Sequence, residues 1–128
     1  MMQKKISTEN KILSTAYSIF LLYGYHGTTT QQIAKESGVN KAAIHYYFRS
    51  KTGLYTRVVE IIIDLLLPPK SQMSLATEEF EKLRWFLFTE LYNNKVLFKK
   101  TLMEIYPDKW EMKLNEINVW IGNFTIPS

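Results

Sequence analysis

The segment that follows Gly38 carries residue types suited to contacts with a nucleic acid. Asn40 can cap a helix over residues 41–47, in which Ile44 faces inward. The outer face of that helix then carries Lys41, Ala42, His45 and Tyr46. A cation, a small apolar group, an imidazole and a phenol can together contact the bases and the backbone of a DNA groove. This spacing therefore predicts a DNA-contacting helix.

No catalytic or metal-binding motif accompanies these residues. The chain has no cysteine, which excludes disulfides, thiolate zinc sites and thiol catalysis, and which suits the reducing cytoplasm. No G-x-S-x-G, P-loop or H-E-x-x-H pattern occurs in the sequence. His45 has no second histidine or cysteine near it, and His26 falls in a loop. We therefore expect no enzymatic activity, no cofactor and no bound metal.

A longer helix and two glycine-containing turns are needed to position this segment. Apolar residues with helical periodicity predict a first helix over residues 8–23, which is capped by Ser7 or Thr8 and ended by Gly24. Its inward face consists of Ile12, Ala16, Ile19, Phe20 and Tyr23. A second helix over residues 30–37 ends at Gly38, just before the outward-facing segment. Two short helices joined by a glycine turn behind a longer one form a helix-turn-helix.

The remaining sequence is also helical in pattern. Ser50 can cap a connecting helix over residues 51–67, and Pro68 follows it. A linker over 68–74 precedes helical segments at about 75–93, 96–106 and 108–121. Polar residues interrupt the apolar run of 54–67, which favours a buried helix over a membrane span. The predicted fold is all-α, with a helix-turn-helix head in residues 1–53 and a short helical C-terminal part in residues 75–128.

The positive charge is concentrated in the N-terminal part. Residues 1–53 contain seven lysines and arginines and two acids, a net charge of +5. Residues 54–128 contain nine bases and ten acids, a net charge of −1. Lys4 and Lys5 can add a loose basic arm in front of the first helix. This asymmetry indicates a polyanionic partner for the head.

Residues 12–54 together resemble a known family. They read I-x3-A-x3-F-x3-G-x3-TT-x3-IA-x3-GV-NKAAIHYYFRSK-x2-L. This pattern resembles the DNA-binding head of the tetracycline-repressor (TetR) family of bacterial transcriptional regulators. Its most specific part is the aromatic run HYYF followed by RSK, and the resemblance covers roughly residues 6–67.

The resemblance implies a role for each matching position. Three threonines at the start of the second helix face a phosphate, and a glutamine after them reaches a phosphate or a base edge. The third helix supplies three residues to base edges and two tyrosines to the sugar-phosphate strand, and a lysine of the fourth helix pairs with a phosphate. The predicted contacts of the second helix are Thr28, Thr29, Thr30 and Gln31. Those of the third helix are Lys41, Ala42 and His45 at base edges and Tyr46 and Tyr47 at the sugar-phosphate strand. The lysine of the fourth helix is Lys51. The family more often has tyrosine at the His45 position, so protonation of this imidazole gives a hypothesis of pH-dependent binding.

The family resemblance also implies how the whole protein works. Members are cytoplasmic homodimers that bind near-palindromic double-stranded DNA, usually as repressors, and a small apolar ligand in the C-terminal part releases them. Typical members are longer and dimerise through two further helices. The C-terminal part of this chain is therefore either unusually compact or truncated, and we expect its exposed apolar faces to drive association.

Two other functions remain open at this stage. One is a TetR-like helical binding protein that no longer regulates DNA and acts through protein or small-molecule contacts. The other is a membrane-surface protein that uses Lys4, Lys5 and the apolar helix, although we expect no membrane partner. A salt titration of duplex binding separates the first alternative from a regulator, and liposome flotation tests the second.

Overall fold

The computed structural model describes residues 6–67 and 77–123, which form seven helices and no strand. The helices are α1 (Thr8–Tyr23), α2 (Thr30–Ser37), α3 (Lys41–Phe48), α4 (Lys51–Leu66), α5 (Thr77–Asn93), α6 (Lys95–Ile105) and α7 (Trp110–Asn123). The predicted all-α fold is confirmed. The predicted linker over 68–74 and the basic arm of Lys4 and Lys5 lie outside the described residues.

The first four helices begin where capping side chains satisfy free backbone N–H groups. The capping oxygens belong to Ser7, Thr29, Asn40 and Ser50, which accept from the backbone N–H of the residue three positions later at 3.1, 3.1, 2.9 and 3.0 Å. Each helix therefore starts at a position that its own sequence specifies.

The turn between α2 and α3 has the glycine geometry that the sequence predicts. Gly38 adopts φ 74° and ψ 24°, a left-handed conformation that few other residues tolerate. The N–H of Val39 donates to the carbonyl of Ala34 at 3.1 Å, and that of Gly38 donates to the carbonyl of Lys35 at 3.3 Å. These two bonds form a Schellman motif, which ends α2 and directs the chain into α3.

The core of the head contains four of the five residues expected from α1: Ile12, Ala16, Ile19 and Phe20 are buried. Tyr23 differs from the expectation, since 55% of its surface is exposed. Tyr25 lies against the core instead, with its ring centroid 6.4 Å from that of Phe20 and 5.0 Å from that of Tyr55 in α4. The turn after α1 thus places an aromatic ring where helical periodicity alone expected Tyr23.

The chain forms two compact units, Met1–Val58 and Val59–Ser128, with the boundary inside α4 rather than at residue 53. In the second unit α6 packs against both α5 and α7. The buried apolar side chains of this unit include Leu83, Phe86, Leu87, Phe98, Leu102, Ile117 and Trp120, together with Ile62, Ile63 and Leu66 of α4. Burial, and the nearby carboxylates of Asp64, Glu60 and Glu116, raise the pKa of Tyr106 to about 12.

None of the described helices is both long enough and apolar enough to cross a bilayer.

Candidate nucleic-acid interface

The outer face of α3 is built by two buried anchors. Ile44 and Phe48 lie four residues apart on one side of the helix, and both are buried. Helical geometry then turns Lys41, Ala42, His45 and Tyr46 away from the core, and all four are exposed. The structure therefore brings together on one face the side chains that the sequence assigned to it.

Two tyrosines extend this face toward the end of α3. Tyr46 is 79% exposed and Tyr47 is 41% exposed. Their rings are nearly perpendicular with centroids 4.9 Å apart, so each restricts the orientation of the other. Two ordered phenol groups beside an exposed lysine can donate hydrogen bonds to phosphate or sugar oxygens.

The N-terminus of α2 offers a second group of predicted contacts. Thr29 and Gln31 are exposed, and Thr30 is half-buried. The hydroxyl oxygen of Thr29 is engaged as the helix cap, because it accepts from the N–H of Gln32. The first turn of a helix leaves backbone N–H groups without an intrahelical acceptor and carries a partial positive charge. This end of α2 can therefore bind an anionic oxygen through its backbone.

Thr28 requires a correction, because its side chain is fully buried. Its hydroxyl donates to the carbonyl of Gly24 at 2.7 Å, which closes the turn between α1 and α2. The predicted contact between this hydroxyl and a phosphate is therefore wrong. The threonine pair at 28 and 29 performs two local tasks, since the first closes a turn and the second caps a helix.

Lys51 lies at the start of α4 and is partly enclosed by protein atoms. Its Nζ donates to the carbonyl oxygens of Tyr25 at 2.7 Å and Thr28 at 2.9 Å. The same atom lies 4.0 Å from the centroid of the Tyr25 ring. Two of the three ammonium donors are therefore already bound within the head, which the family resemblance did not indicate.

The junction between α3 and α4 contains a strained turn that the sequence did not reveal. Arg49 has φ 73° and ψ −42°, and the N–H of Ser50 donates to the carbonyl of Phe48 at 2.8 Å. This is a γ-turn of the rarer kind, with positive φ at a residue that has a Cβ atom. Arginine has no preference for this conformation, so composition gives no signal here. The turn determines how α3 is joined to the capped start of α4.

Within residues 6–67 and 77–123, no group of three histidine, cysteine, aspartate or glutamate side chains is placed to hold a metal ion.

Comparison with known proteins identifies this arrangement. Residues 12–58 match the family described as bacterial regulatory proteins, tetR family. The head belongs to the TetR family. The match begins at the buried Ile12 and ends at Val58, which is also the last residue of the first compact unit. The TetR-family head is thus also a structural unit of this chain.

Individual relatives agree with the family match. The HTH-type transcriptional regulator RutR of Escherichia coli is 43% identical over 67 residues, which cover 52% of this chain and 32% of RutR. The biofilm operon icaADBC HTH-type negative transcriptional regulator IcaR of Staphylococcus aureus is 38% identical over 58 residues, covering 45% of this chain and 31% of IcaR. The matched segments therefore span about a third of each curated relative.

A solved structure extends the similarity beyond the head. The crystal structure of a mutant HlyIIR protein aligns with a TM-score of 0.57 and 25% identity, covering 94% of this chain and 75% of that one. The alignment includes α5 to α7 as well as the TetR-family head.

Proposed function

We propose that this protein is a DNA-binding transcriptional regulator that acts as a repressor. The observation that carries the proposal is the exposed α3 face of Lys41, Ala42, His45 and Tyr46, supported by the buried anchors Ile44 and Phe48. RutR and IcaR are HTH-type transcriptional regulators, and IcaR is a negative one, which supports the same function here. Such a regulator works in the cytoplasm, where bacterial DNA is located.

In the proposed complex α3 lies in the major groove. Lys41 donates to guanine O6 and N7, while Ala42 and His45 contact neighbouring base edges. Tyr46 and Tyr47 donate to the sugar-phosphate strand, and the N-terminus of α2, with Thr29, Thr30 and Gln31, binds a phosphate. The free cationic and phenolic groups of α3 thus determine both affinity and sequence preference.

The test is a salt titration of binding to the best duplex selected from random DNA. The logarithm of affinity should fall linearly with the logarithm of salt concentration, with a slope of about −0.9 for each phosphate that a lysine or arginine of the head neutralises. Lys41→Glu should reduce affinity at least about tenfold, because it removes a donor and adds a repelled charge. Lys109→Glu, an exposed lysine of the second unit, is the matched control. Salt-independent binding, or equal losses in both variants, would refute the proposal.

A cavity in the second unit supports a ligand-responsive form of this function. It has a volume of about 540 Å³ and lies among α5, α6 and α7. Phe88, Leu91 and Leu114 line it with apolar surface, and Lys95 and Lys99 are also among its lining residues. We infer that it accepts a small apolar molecule with an anionic group. Titration calorimetry can measure the affinity of dodecanoate and of dodecanol for the wild-type protein and for the double variant Lys95→Ala, Lys99→Ala. The double variant should bind dodecanoate more weakly than the wild type does, while its affinity for dodecanol should not change.

We further propose that the regulator is a homodimer. The second unit exposes large apolar side chains: Trp85 is 61% exposed, Tyr92 77% and Val96 70%. Exposed apolar surface of this kind often marks a protein–protein contact. Two heads on one particle would also match a near-palindromic site with half-sites about one helical turn apart. Light scattering at high protein concentration tests this, and a monomer mass would contradict it.

A further inference from the structure

Asn40 carries an amide group of which the head uses only the oxygen. Its Oδ1 atom accepts from the N–H of Ala43 at 2.9 Å and thereby caps α3. This bond identifies the oxygen, because a backbone N–H can donate only to the acceptor atom of the amide. The Nδ2 atom has no hydrogen-bond acceptor among residues 6–67 and 77–123. Since Asn40 is exposed, both N–H donors of this amide are available to a partner outside the chain.

The capping bond also restricts the orientation of these two donors. Asn40 has φ −89° and ψ 163°, the extended backbone that an N-cap residue adopts. The amide is planar, so the nitrogen lies on a defined side once the oxygen is bound to α3. The donors are therefore oriented before a partner binds, which lowers the entropy cost of a contact.

The residues around Asn40 leave its amide accessible. A Cβ atom added to Gly38 would meet no atom within 4 Å. Ala42 is exposed, and its side chain is a single methyl group. Neither position supplies a side chain that could cover the amide when a large surface approaches the start of α3.

The position of Asn40 in the head favours a base as the partner. It immediately precedes Lys41, and in a helix-turn-helix the N-terminal residues of the second helix contact base edges. Capping alone does not require an amide, because serine and aspartate cap helices about equally well. Asparagine differs from aspartate in adding two donors without a negative charge. The major groove offers matching acceptors, which are guanine N7 and O6, adenine N7 and thymine O4.

We propose that Asn40 is a specificity-determining residue, whose Nδ2 donates to a base acceptor in the major groove beside the base that Lys41 contacts. The inference rests on the proposed function, and it adds a residue that the sequence comparison with the TetR family did not assign to DNA. A cytosine at the contacted position presents its N4 donor instead of an acceptor, so the amide disfavours it.

The first experiment selects bound duplexes from random DNA with the wild-type protein, Asn40→Asp and Asn40→Ser. Both variants keep a capping oxygen, so circular dichroism should show all three proteins folded. Ionised aspartate can only accept hydrogen bonds, and we expect it to change the preference at one position of each half-site toward cytosine. Serine is too short to reach the same base, so the preference at that position should fall about tenfold while the other positions keep theirs.

Asn10→Asp is the matched control, because it makes the same amide-to-carboxylate change at an exposed residue of α1. A carboxylate repels the phosphates of every duplex, so this variant should keep all base preferences whatever its overall affinity. If Asn40→Asp also keeps every base preference, its effect is charge repulsion or the loss of a phosphate contact, and the proposal is overturned.

The second experiment needs only the wild-type protein, so it decides the question even if a variant does not fold. NMR follows the two Nδ2 protons of Asn40 in the free protein and in the complex with the selected duplex. We expect their resonances to shift on binding and to show nuclear Overhauser contacts with base protons of the major groove. Unshifted resonances, or contacts with sugar protons alone, would overturn the proposal.

The selection also separates this inference from the proposed function. If the wild-type protein selects no sequence, the proposed function fails and this inference fails with it. If the wild type selects a site and Asn40→Asp selects the same one, the proposed function stands and only the role of Asn40 is refuted.

Discussion

The head and the second unit of this chain achieve their shapes in different ways. In the head, four helices begin at capping side chains, and the turns contain positive-φ residues at Gly24, Gly38 and Arg49. Helix α6 of the second unit begins at Lys95, and the side chain of its N-cap residue Asn94 makes no capping bond. Side-chain caps thus specify where the four helices of the head start, whereas α6 starts without such a cap.

This difference corresponds to the surfaces that the two units expose. The head places polar and cationic groups on α3, whose buried anchors Ile44 and Phe48 determine which side chains face solvent. The second unit has an open cavity and exposed aromatic rings, including Trp85 and Tyr92. The predicted DNA contacts and the cavity thus belong to different compact units of the chain.

The largest expected effect comes from filling a tight space in the head. A Cβ atom on Gly53 would lie 2.0 Å from the carbonyl oxygen of Phe48, which is backbone and cannot rotate away. We expect Gly53→Ala to lower the free energy of unfolding by about 3 kcal/mol, measured by urea denaturation with circular dichroism.

Gly38→Ala is the matched control, because the space around Gly38 is open and only its φ of 74° opposes a side chain. Its cost should be about 1 kcal/mol, the ordinary penalty for a left-handed residue with a Cβ atom. If Gly53→Ala and Gly38→Ala lowered the free energy of unfolding equally, the short distance between residue 53 and the carbonyl oxygen of Phe48 would not matter for stability.

The same difference explains how much of the fold was predictable. The limits of α1 and α2 follow from residues that act over three or four positions, such as Ser7, Thr29 and Gly38, so a single sequence suffices to locate them. The start of α7 was expected at Asp108 but lies at Trp110, because the N–H of Lys109 bonds to the carbonyl of Tyr106 in a preceding turn. Such a turn depends on packing that periodicity does not describe.

The candidate site was predictable on the same terms. The exposure of Lys41, His45 and Tyr46 follows from the helical period, once Ile44 is assigned to the core. The two hydrogen bonds of Lys51 were not predictable, because their acceptors are the carbonyl oxygens of Tyr25 and Thr28, more than twenty positions earlier in the chain. Main-chain acceptors are the same for every residue type, so no sequence pattern marks them.

A smaller effect compares one substitution in both units. Asn40 accepts a helix-capping bond at 2.9 Å, and aspartate performs that role equally well, so Asn40→Asp should change stability by less than about 0.5 kcal/mol. The amide of Asn94 instead donates to the carboxylate of Glu90 at 3.0 Å, and Glu90 is only 4% exposed. Asn94→Asp should therefore cost about 1–2 kcal/mol at pH 7, because it replaces a donor with a like charge.

Tryptophan fluorescence in urea measures the Asn94→Asp effect, since Trp85, Trp110 and Trp120 all belong to the second unit. A loss for Asn40→Asp as large as that for Asn94→Asp would contradict the view that helix starts in the two units depend on different chemistry.

The smallest expected effect concerns the strained turn at Arg49. Replacing Arg49 with alanine removes the charge and retains the positive-φ penalty, while replacing it with glycine removes both. The glycine variant should therefore be more stable than the alanine variant by about 1 kcal/mol in urea denaturation. Their affinities for duplex should also differ in the opposite order, because the strained turn fixes the joint between α3 and α4 and glycine loosens it. If the two variants bind duplex equally well, the strain at Arg49 contributes nothing to the orientation of α3. The orientation of the exposed α3 face would then depend on the buried anchors Ile44 and Phe48.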